Sequence, residues 1–380
     1  MNIRISKSQL NESIQHALKA VTSKTTIPIL SGIKLDAGSH GLILTGSDTD
    51  ISIQSFLEPE KDGQSVVEVI RPGSIVLPAR FFSEIVKKLP SDEVEIELKE
   101  NHQTTIRSGS SEIQIMGMDP EEYPLLPELD ENQMIRIYSD LLKIMIRQTS
   151  FAVSTNESTP ILTGVLWSLT QNGLKFTGCD RHRLATREAN IELDPRPQFH
   201  NIVISGRTLN ELSKLLPDQN TLIEIVVEEN QILAKIGHIL FYSRILDGAY
   251  PDTSKLIPAS FQTEIVVETK ALADAIDRAY LLSREDKTNI VKMIMNEDKT
   301  LEISSSSTEL GKLTETIPTD KLEGQLLKIS FNSKYMLDAL KAMDSERIHI
   351  GFTGAMQPII IKPVDYSGLL QLILPYRTTG

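Results

Sequence analysis

The sequence contains a single cysteine, Cys179, in 380 residues. One cysteine excludes an internal disulfide framework and is typical of a protein that works in a reducing cytosol. No apolar run approaches the ~18 residues of a membrane span, and Met1-Asn2-Ile3-Arg4 leads directly into patterned sequence without the apolar core of a signal peptide. We therefore expect a soluble, cytoplasmic protein.

The residue patterns of common catalytic and metal sites are also lacking. The seven histidines are scattered with no partner at metal-ligand spacing, and no glycine-rich phosphate loop occurs. His182, between Arg181 and Arg183, has no accompanying nucleophile pattern, so a role in a pocket wall is favoured over a general base. Asp48-Thr49-Asp50 could chelate a cation, but its repeat counterpart Asp180-Arg181-His182 favours a turn. The sequence predicts no catalytic residue, metal or cofactor.

Similar motifs recur in the sequence at a period of about 130 residues, a length that indicates whole domains rather than solenoid units. The matched segments are PILSG at 28–32 with PILTG at 160–164, TGSD at 45–48 with TGCD at 177–180, and Tyr123-Pro124 with Tyr250-Pro251. A third copy ends at Leu374-Pro375. Domains of about 100 to 150 residues fit two or three times into this length. The repeat favours three domains, at 1–128, 129–257 and 258–380.

Each copy contains two segments with helical periodicity among short alternating strands. In the first segment, Leu10, Ile14 and Ala17 share one face. The six predicted helices are 8–21, 79–89, 140–152, 207–216, 270–282 and 333–343. Alternating segments such as 94–98 and 231–236 predict strands. The fold class is therefore α+β, with two helices packed on antiparallel sheets in each copy.

The net charge of −12 argues against nucleic acid, because binding to phosphates depends on lysine and arginine contacts. The distribution of charge argues the other way. The six helical segments with their flanks together carry +8, which leaves −20 for the rest of the chain. For a single helix an ordinary solvated face is the simpler interpretation, but agreement across all six predicts one basic surface and one acidic surface.

Joining the copies strand edge to strand edge would make continuous sheets and place all the helices on one face. Three domains make an arc, so a symmetric dimer would close a ring of six domains with a basic lumen. Apolar candidates for the joint between protomers are Ile113 and Ile115, in the segment 112–116, and Leu281-Leu282. A role for these residues in the core is equally consistent with the sequence.

Several motifs together resemble the bacterial β sliding clamps, the processivity subunits of DNA polymerase III, over the whole length of the chain. The motifs are Pro28-Ile29-Leu30 with its repeat copy, Pro78-Ala79-Arg80-Phe81-Phe82, Asp180-Arg181-His182-Arg183-Leu184-Ala185, Tyr250-Pro251-Asp252 and Leu374-Pro375-Tyr376-Arg377. The resemblance implies a non-catalytic, head-to-tail homodimeric ring that encircles duplex DNA without reading sequence. It also implies the partners: the polymerase III alpha subunit and other polymerases, an ATP-dependent clamp loader, and other clamp-motif proteins of replication and repair. The expected location is the cytoplasm, at the nucleoid, with no membrane partner.

The resemblance also assigns site residues. Those assigned to DNA binding are Lys24, Arg80, Arg147, Asn156 and Arg207, with Arg278 and Lys334 as further charges on the same face. Those assigned to a groove for partner peptides are Leu162, Cys179, Arg181, His182, Arg183, Leu184, Pro251, Lys255, Leu256, Met356, Pro358, Leu372, Leu374, Pro375, Tyr376 and Arg377. Apolar walls with a few basic groups suit a peptide with leucine or phenylalanine anchors. The sequence departs from the family's pattern at Arg181, where a small residue is usual, and at Tyr376 and the extra 378–380.

Two other classes of function remain open from the residues alone. An enzyme with a site at a domain junction would need a nucleophile or metal constellation, and none is present in the sequence. A scaffold that assembles proteins without DNA could use the same repeat and the same groove. Only the basic helices favour the DNA-binding function over the scaffold.

Overall fold

The computed structural model describes residues 1–22, 25–61, 64–127, 134–170, 173–191, 201–228, 230–285 and 288–377. These residues form two compact units. The first unit contains the described residues of Met1–Asp140 and Glu211–Ile245. The second contains those of Leu141–Glu192, His200–Asn210 and Leu246–Gly380. In the described residues, no helix has the length and apolar character needed to cross a membrane.

The first copy of the repeat alternates strands with two helices, as its sequence pattern predicts. Its strands are β1 Asn2–Ser6, β2 Gly32–Gly38, β3 Gly41–Ser47, β4 Ile51–Leu57, β5 Glu60–Lys61, β6 Gln64–Ser65, β7 Val67–Arg71, β8 Gly73–Pro78, β9 Glu93–Leu98, β10 Gln103–Ser108 and β11 Ser111–Met116. Its helices are α1 Lys7–Leu18 and α2 Ala79–Lys88, and short 3-10 turns lie at Pro28–Ser31, Glu100–His102 and Pro120–Glu122.

The second and third copies repeat this order. The second has β12 Met134–Tyr138, α3 Ser139–Thr149, β13 Gly164–Leu169, β14 Gly173–Cys179, β15 Arg183–Asn190, β16 Ile202–Ser205, α4 Gly206–Ser213, β17 Leu222–Val227, β18 Gln231–Ile236 and β19 Ile239–Arg244, with 3-10 turns at Ser150–Ala152, Pro160–Thr163 and Ser254–Leu256. The third has β20 Thr263–Glu268, α5 Thr269–Ser283, β21 Ile290–Met295, β22 Thr300–Ser307, β23 Gly311–Pro318, β24 Lys321–Gly324, β25 Lys328–Asn332, α6 Ser333–Lys341, β26 Arg347–Phe352, β27 Ile359–Pro363 and β28 Leu369–Ile373.

The strands form antiparallel sheets, two of which cross from one copy to the next. The larger sheets have the orders β12-β17-β18-β19-β4-β3-β2-β8 and β16-β13-β14-β15-β28-β27-β26-β20-β24. The smaller sheets have the orders β11-β10-β9-β1-β7 and β23-β22-β21-β25, and β5 and β6 form a ribbon. The first order places four strands of the second copy beside four strands of the first. The second places the other four strands of the second copy beside five of the third.

Two pairings join the copies strand edge to strand edge, as the repeat predicts. We name the β4–β19 pairing the first junction and the β15–β28 pairing the second junction. The first junction runs from Ile239 opposite Ser55 to Ser243 opposite Ile51. The second runs from Arg183 opposite Ile373 to Arg187 opposite Leu369. Because backbone amides and carbonyls make these bonds, each junction removes two sheet edges that would otherwise be unpaired.

All six predicted helices are present, with shifts at their ends. The prediction for the first helix extends to residue 21, whereas α1 ends at Leu18. The backbone then continues as a tighter, 3-10-like turn, in which Ala20 N donates to Ala17 O at 3.1 Å and Val21 N donates to Leu18 O at 3.1 Å. Such i to i−3 bonds are typical of a helix end. The apolar pattern continues past the helix because Val21 still packs on the core.

Glycine in the repeated TGSD and TGCD motifs allows a helix to approach a strand closely. A Cβ on Gly46 would lie 2.1 Å from the carbonyl oxygen of Ala17, at the end of α1. A Cβ on Gly178 would lie 2.3 Å from the carbonyl oxygen of Thr149, at the end of α3. Neither distance is possible for a side chain, so this packing explains why both motifs carry glycine at that position.

Each terminal copy has its own hydrophobic core. In the first copy, α1 packs on α2 and on β3 and β4, with Leu10, Ile14 and Phe82 fully buried. In the third copy, α5 packs on α6, β22 and β23. Burial of large apolar side chains, at roughly 1.5–3 kcal/mol each, is the main favourable contribution to the stability of both.

Candidate functional site

The second junction carries a small apolar cluster separate from the main cores. Its buried members, which we name the floor cluster, are Cys179, Leu184, Ile360 and Leu372. The pairing of strands brings them together: Leu184 lies opposite both Cys179 and Leu372, and Ile360 lies opposite Leu372. Partly buried side chains pack around the floor cluster, namely Tyr250, Ile257, Phe261 and Leu370.

The end of the chain forms one side of this site. Beyond β28, Leu374 N donates to His182 O at 2.9 Å, and Tyr376 N donates to Ser330 O at 2.6 Å. Pro375 forms an isolated bridge with Phe331. These bonds hold the backbone, while Leu374 and Tyr376 keep 37% and 53% of their surface exposed. The site therefore has apolar groups at its edge that a ligand could contact.

A tight turn leads into the floor cluster. Asp180 Oδ1 accepts hydrogen bonds from the backbone N–H groups of His182 and Arg183, each at 2.9 Å. Asp48 makes the same turn in the first copy, where its Oδ1 accepts from Asp50 N at 2.7 Å and Ile51 N at 2.8 Å. These bonds agree with the prediction that both aspartates form turns. No cluster of cation ligands occurs in the described part of the chain.

Arg181 occupies a strained position in this turn. Its φ is +77°, a left-handed conformation that costs a residue with a Cβ free energy and that glycine adopts readily. The side chain donates to Thr159 Oγ1 at 3.0 Å. The backbone conformation is one that glycine adopts readily, so Arg181 carries backbone strain at this position.

Arg183 is almost enclosed by other side chains. Its side chain is only 10% exposed, and it forms ion pairs with Asp180 at 3.0 Å and with Asp338 at 2.7 Å. The guanidinium carbon lies 4.5 Å from the ring centroid of Tyr335 and 5.5 Å from that of Phe151. The family resemblance places Arg183 among the residues that contact a peptide. The structure instead directs its guanidinium toward helix α6.

The remaining groove residues divide into an inner and an outer group. Leu162 is buried like the floor cluster. The other predicted groove residues lie at or near the surface, and they are His182, Pro251, Lys255, Leu256, Met356, Pro358 and Arg377. Lys255 pairs with Asp252 at 3.9 Å. Leu256 and Met356 are about half exposed, at 45% and 49%, and so resemble Leu374 in offering apolar surface.

Burial controls the ionisation of the groups under this surface. Desolvation raises the pKa of the Cys179 thiol, so the sole cysteine is protonated and unreactive at neutral pH. Burial also raises the pKa of Tyr250, whose hydroxyl donates to Thr177 O at 3.2 Å. Neither group is prepared for nucleophilic or general base chemistry.

A polar cavity of about 470 Å³ adjoins the turn. Arg181, His182, Asn156 and Lys334 line part of it. Asn156 lies in a local turn in which its Oδ1 accepts from Ser158 N at 2.9 Å. Asn156 and Lys334, which are predicted to lie near DNA, therefore lie beside Arg181 and His182, which are predicted to line the peptide groove.

The other predicted DNA-binding residues fall in different surroundings. Arg80 and Arg207 are exposed in the first turns of α2 and α4. Lys24 lies outside the described residues. Arg147 forms an ion pair with Asp344, and Arg278 forms one with Glu315 at 2.5 Å. Both arginines have a carboxylate partner within the protein, which makes them weaker candidates for phosphate contacts than Arg80.

The four predicted joint residues also differ in exposure. Leu281 is 50% exposed on α5 and Leu282 is half-buried, whereas Ile115 is 6% exposed and packs in the first core. The structure thus places Ile115 in the core, the alternative that the sequence leaves open. Ile113 is half-buried and lines a surface cavity of about 200 Å³ with Phe81. Phe81, 56% exposed, is a joint candidate that the sequence analysis did not single out.

Several residues around the floor cluster and its turn do not belong to the predicted groove. Ile360, Phe261, Tyr335 and Asp338 come from the third copy, more than 75 residues after the turn that they pack around. Tyr250 had a detectable signal in the repeated Tyr-Pro pair. Its repeat partner Tyr123 makes the equivalent hydrogen bond, to Thr45 O at 3.2 Å. For the others, no local pattern distinguishes them from ordinary core or helix residues.

Comparison with known proteins covers the whole chain. Residues 1–127, 136–252 and 254–377 match the N-terminal, central and C-terminal domains of the DNA polymerase III beta subunit. The beta sliding clamp of Bacillus subtilis (strain 168) is 52% identical over 378 residues, and that of Halalkalibacterium halodurans is 48% identical over 379, each with 100% of both chains covered. The crystal structure of the Bacillus subtilis DNA polymerase sliding clamp superposes with a TM-score of 0.97 at 51% identity, again with 100% of both chains covered.

Proposed function

We propose that two copies of this chain close a six-domain ring around duplex DNA. The premise is that the chain belongs to the family of DNA polymerase III beta subunits, the sliding clamps. Members of this family are non-catalytic processivity subunits in DNA replication, and neither an enzyme nor a scaffold without DNA fits this chain. The observation that carries the proposal is the edge-to-edge joining of its repeated domains at both junctions. The same kind of joint between two chains would complete a ring.

Two of the sheet edges in the described residues are suited to that joint. Strand β11 ends the five-stranded sheet and β23 ends the four-stranded sheet. Exposed or half-buried apolar side chains accompany both: Ile113 and Phe81 lie near β11, and Leu281 lies on α5, which packs on β23. We infer a head-to-tail homodimer in which β11 of one protomer pairs with β23 of its partner. A twofold axis would then satisfy both edges of both chains.

A sedimentation experiment tests the dimer. Replacing Leu281 and Leu282 by aspartate should give monomers at micromolar concentration, because it puts charge into a joint that excludes water. Leu326→Asp, at a residue with a comparable exposure of 46%, is the control and should remain dimeric. A wild-type protein that sediments as a monomer at that concentration contradicts the ring.

The basic helices are the proposed surface for DNA. Arg80 and Arg207 would each contact a phosphate, with Lys24 and Asn156 beside the same path. Such contacts carry no sequence information and exchange easily, which suits a ring that slides. Arg147 would contribute only if its ion pair with Asp344 opened.

The DNA surface is tested by reversing charge. The Arg80→Glu/Arg207→Glu variant should lower the slope of log affinity against log salt by about two phosphate contacts, without a change in sequence preference. Arg4→Glu/Arg136→Glu is a matched control, since both are exposed strand arginines and the net charge changes equally. Equal slopes for the two variants would remove the helices from the DNA surface.

The groove at the second junction is the proposed site for polymerases. The floor cluster, with Leu256, Met356 and Leu374 at its edge, is suited to a short peptide with a glutamine, a leucine and a terminal Leu-Phe pair. The alpha subunit of polymerase III, other polymerases, the ATP-dependent clamp loader and further repair proteins would compete for this groove. The cytoplasm, at the nucleoid, is the compartment in which these partners would meet the ring.

Retention on closed circular DNA tests encirclement directly. After loading, the protein should stay on a nicked circle through a high-salt wash and leave when a restriction enzyme linearises the circle. Salt removes phosphate contacts but does not remove a topological link. Equal loss from circular and linear DNA would exclude the ring.

A further inference from the structure

Arg183 uses its charge inside the protein. Nε donates to Asp180 Oδ2 at 3.0 Å and one Nη donates to Asp338 Oδ2 at 2.7 Å. The face of the guanidinium lies against the Tyr335 ring. With two carboxylates and an aromatic ring around a side chain that is only 10% exposed, few donors and little surface remain for an external ligand.

The partners of Arg183 belong to two copies of the repeat. Asp180 is in the turn that leads into β15, in the second copy, whereas Asp338 and Tyr335 are on α6, in the third. The start of α6 is itself fixed, because Asn332 Oδ1 accepts from Lys334 N at 3.0 Å and Tyr335 N at 3.3 Å. The arginine therefore fastens a turn to a helix whose first residues are held in place.

The turn that Arg183 holds is linked to the peptide groove through the two residues that flank Arg183. Leu184, in the floor cluster, follows Arg183 directly in the chain. His182, which precedes it, stacks on Tyr335 with 6.4 Å between ring centroids, and its carbonyl oxygen accepts from Leu374 N at 2.9 Å. A shift of Arg183 would displace both the floor and the chain-end side of the groove.

We propose that Arg183 is a positioning residue that holds the floor and edge of the groove through α6, and that it makes no contact with the bound peptide. This inference rests on the proposed function of the groove as a peptide site. It assigns Asp338 and Tyr335, which lie outside the predicted groove, a share in peptide affinity. It also makes α6 part of the peptide site without contact between the helix and the ligand.

The first test needs no peptide. In a methyl-labelled protein, Asp338→Asn should shift the Leu184 methyl signals, because weakening the ion pair releases the turn. Lys341→Met, an exposed change at the far end of the same helix, is the control and should leave those signals in place. Unchanged Leu184 signals in Asp338→Asn overturn the proposal, whether or not the groove binds peptides.

The second test is a binding cycle by calorimetry, with two peptides. One peptide carries glutamine, leucine and the terminal Leu-Phe pair, and the other has alanine in place of the glutamine. Arg183→Met should weaken both peptides by the same factor, about tenfold, since the variant moves anchor contacts that the two peptides share. A loss confined to the glutamine peptide would mean that Arg183 touches the ligand, and would overturn the proposal.

Peptide affinities of single and double variants of Arg183 and Asp338 distinguish a shared positioning role from general destabilisation of the protein. Asp338→Asn should weaken both peptides about tenfold, Asp338→Glu should restore most of the affinity, and Arg183→Met/Asp338→Asn should be no weaker than Arg183→Met alone. Losses that multiply in the double variant would contradict a shared role. If the wild-type protein binds neither peptide, the proposed function fails, while the methyl signals still decide the role of Arg183.

Discussion

The two junctions share one backbone design and differ in the side chains that cover it. Arg244 N donates to Asp50 O at 3.0 Å in the first, as Leu374 N donates to His182 O at 2.9 Å in the second. The tyrosine bonds of Tyr123 and Tyr250 are likewise equivalent. The repeated motifs in the sequence therefore encode the joint itself, and any difference in ligand binding between the junctions must come from the side chains.

The difference lies at the positions of the floor cluster. Beside the second junction, Cys179 on β14 lies opposite Leu184 on β15. Beside the first, Ser47 on β3 lies opposite Ser52 on β4, and the two hydroxyls hydrogen-bond at 2.6 Å. Where the second has Leu372, the first has Tyr242, opposite Ser52. A leucine anchor would find buried methyl groups in one junction and a satisfied hydroxyl pair in the other. We therefore expect apolar peptide anchors to select the second junction.

The first junction also has a cavity, of about 590 Å³, so the two junctions do not differ simply in the presence of a cavity. Its lining includes Lys34, Asp36, Gln54 and Tyr242. This cavity has enough space for a ligand and has apolar walls at Ile43, Leu233 and Leu240, but the Ser47–Ser52 pair does not line it. Space alone does not make a peptide groove, since anchor residues gain most of their affinity from apolar contacts that exclude water.

The largest expected effect comes from giving the second junction the floor of the first. Cys179→Ser/Leu184→Ser should weaken the peptide with the Leu-Phe pair by about 100-fold, or about 2.7 kcal/mol, because its anchors lose their apolar contacts. Calorimetry measures the affinity, and urea unfolding shows whether the variant is folded. Ser47→Ala/Ser52→Ala is the control and should bind as the wild type does. Wild-type affinity in the serine variant would refute the role of the floor.

The next effect should come from the end of the chain. Removal of 376–380 deletes Tyr376 and Arg377 beside Leu374, and should cost about 2 kcal/mol of peptide binding, typical of an interface anchor. A shorter deletion of 378–380 keeps both residues and should have little effect. Dimerisation and retention on circular DNA should survive in both. If the longer deletion leaves calorimetric affinity intact, the chain end is not a wall of the groove.

A smaller and matched effect should come from the two tyrosine hydroxyls. Tyr123→Phe and Tyr250→Phe should each lower the free energy of unfolding by about 1 kcal/mol, the usual value of one buried hydrogen bond. Urea denaturation curves would give both values. Equal losses in the free energy of unfolding would mean that the two hydrogen bonds stabilise their junctions equally. A difference of more than about 1 kcal/mol would show that the junctions contribute unequally to stability despite equal geometry.

The smallest effect is on the pH dependence of stability. Burial raises the pKa of Tyr123 and Tyr250 above the ordinary value of 10.0, so the folded protein holds these protons more tightly than the unfolded chain does. Their contribution is complete below the unfolded-state pKa and is lost as pH rises toward the folded-state pKa. Each phenol should therefore cost about 0.5 kcal/mol of stability between about pH 10 and pH 10.5. Each phenylalanine variant should show a smaller decline than the wild type in urea titrations, and an equal decline would contradict the burial argument.

The sequence predicts the repeated part of this comparison well. Apolar periodicity locates six helices to within a few residues, and the repeat predicts joining of copies edge to edge because sheet edges need partners. The floor cluster is partly visible too, since Cys179, Leu184 and Leu372 belong to the resembled pattern. Regular periodicity and local motifs are what a sequence displays directly.

The pairing of charges was not predictable in the same way. Arg183 and Asp338 are 155 residues apart, and Arg147 and Asp344 are 197 apart. No local pattern indicates which carboxylate each arginine meets, so Arg183 is predicted to face a peptide and Arg147 to face DNA. In both cases the partner comes from the third copy, and only the folded chain brings the two together.

The sole cysteine of the chain also provides a reporter of local opening. Cys179 is 5% exposed in the floor of the groove, and burial raises the pKa of its thiol. A thiol reagent should therefore react only when the floor opens, at a rate set by the free energy of that opening. Since no other thiol contributes, absorbance at a single wavelength follows this one site in the unmodified protein. A bound peptide should slow the reaction, so that the same trace reads the lifetime of the occupied groove.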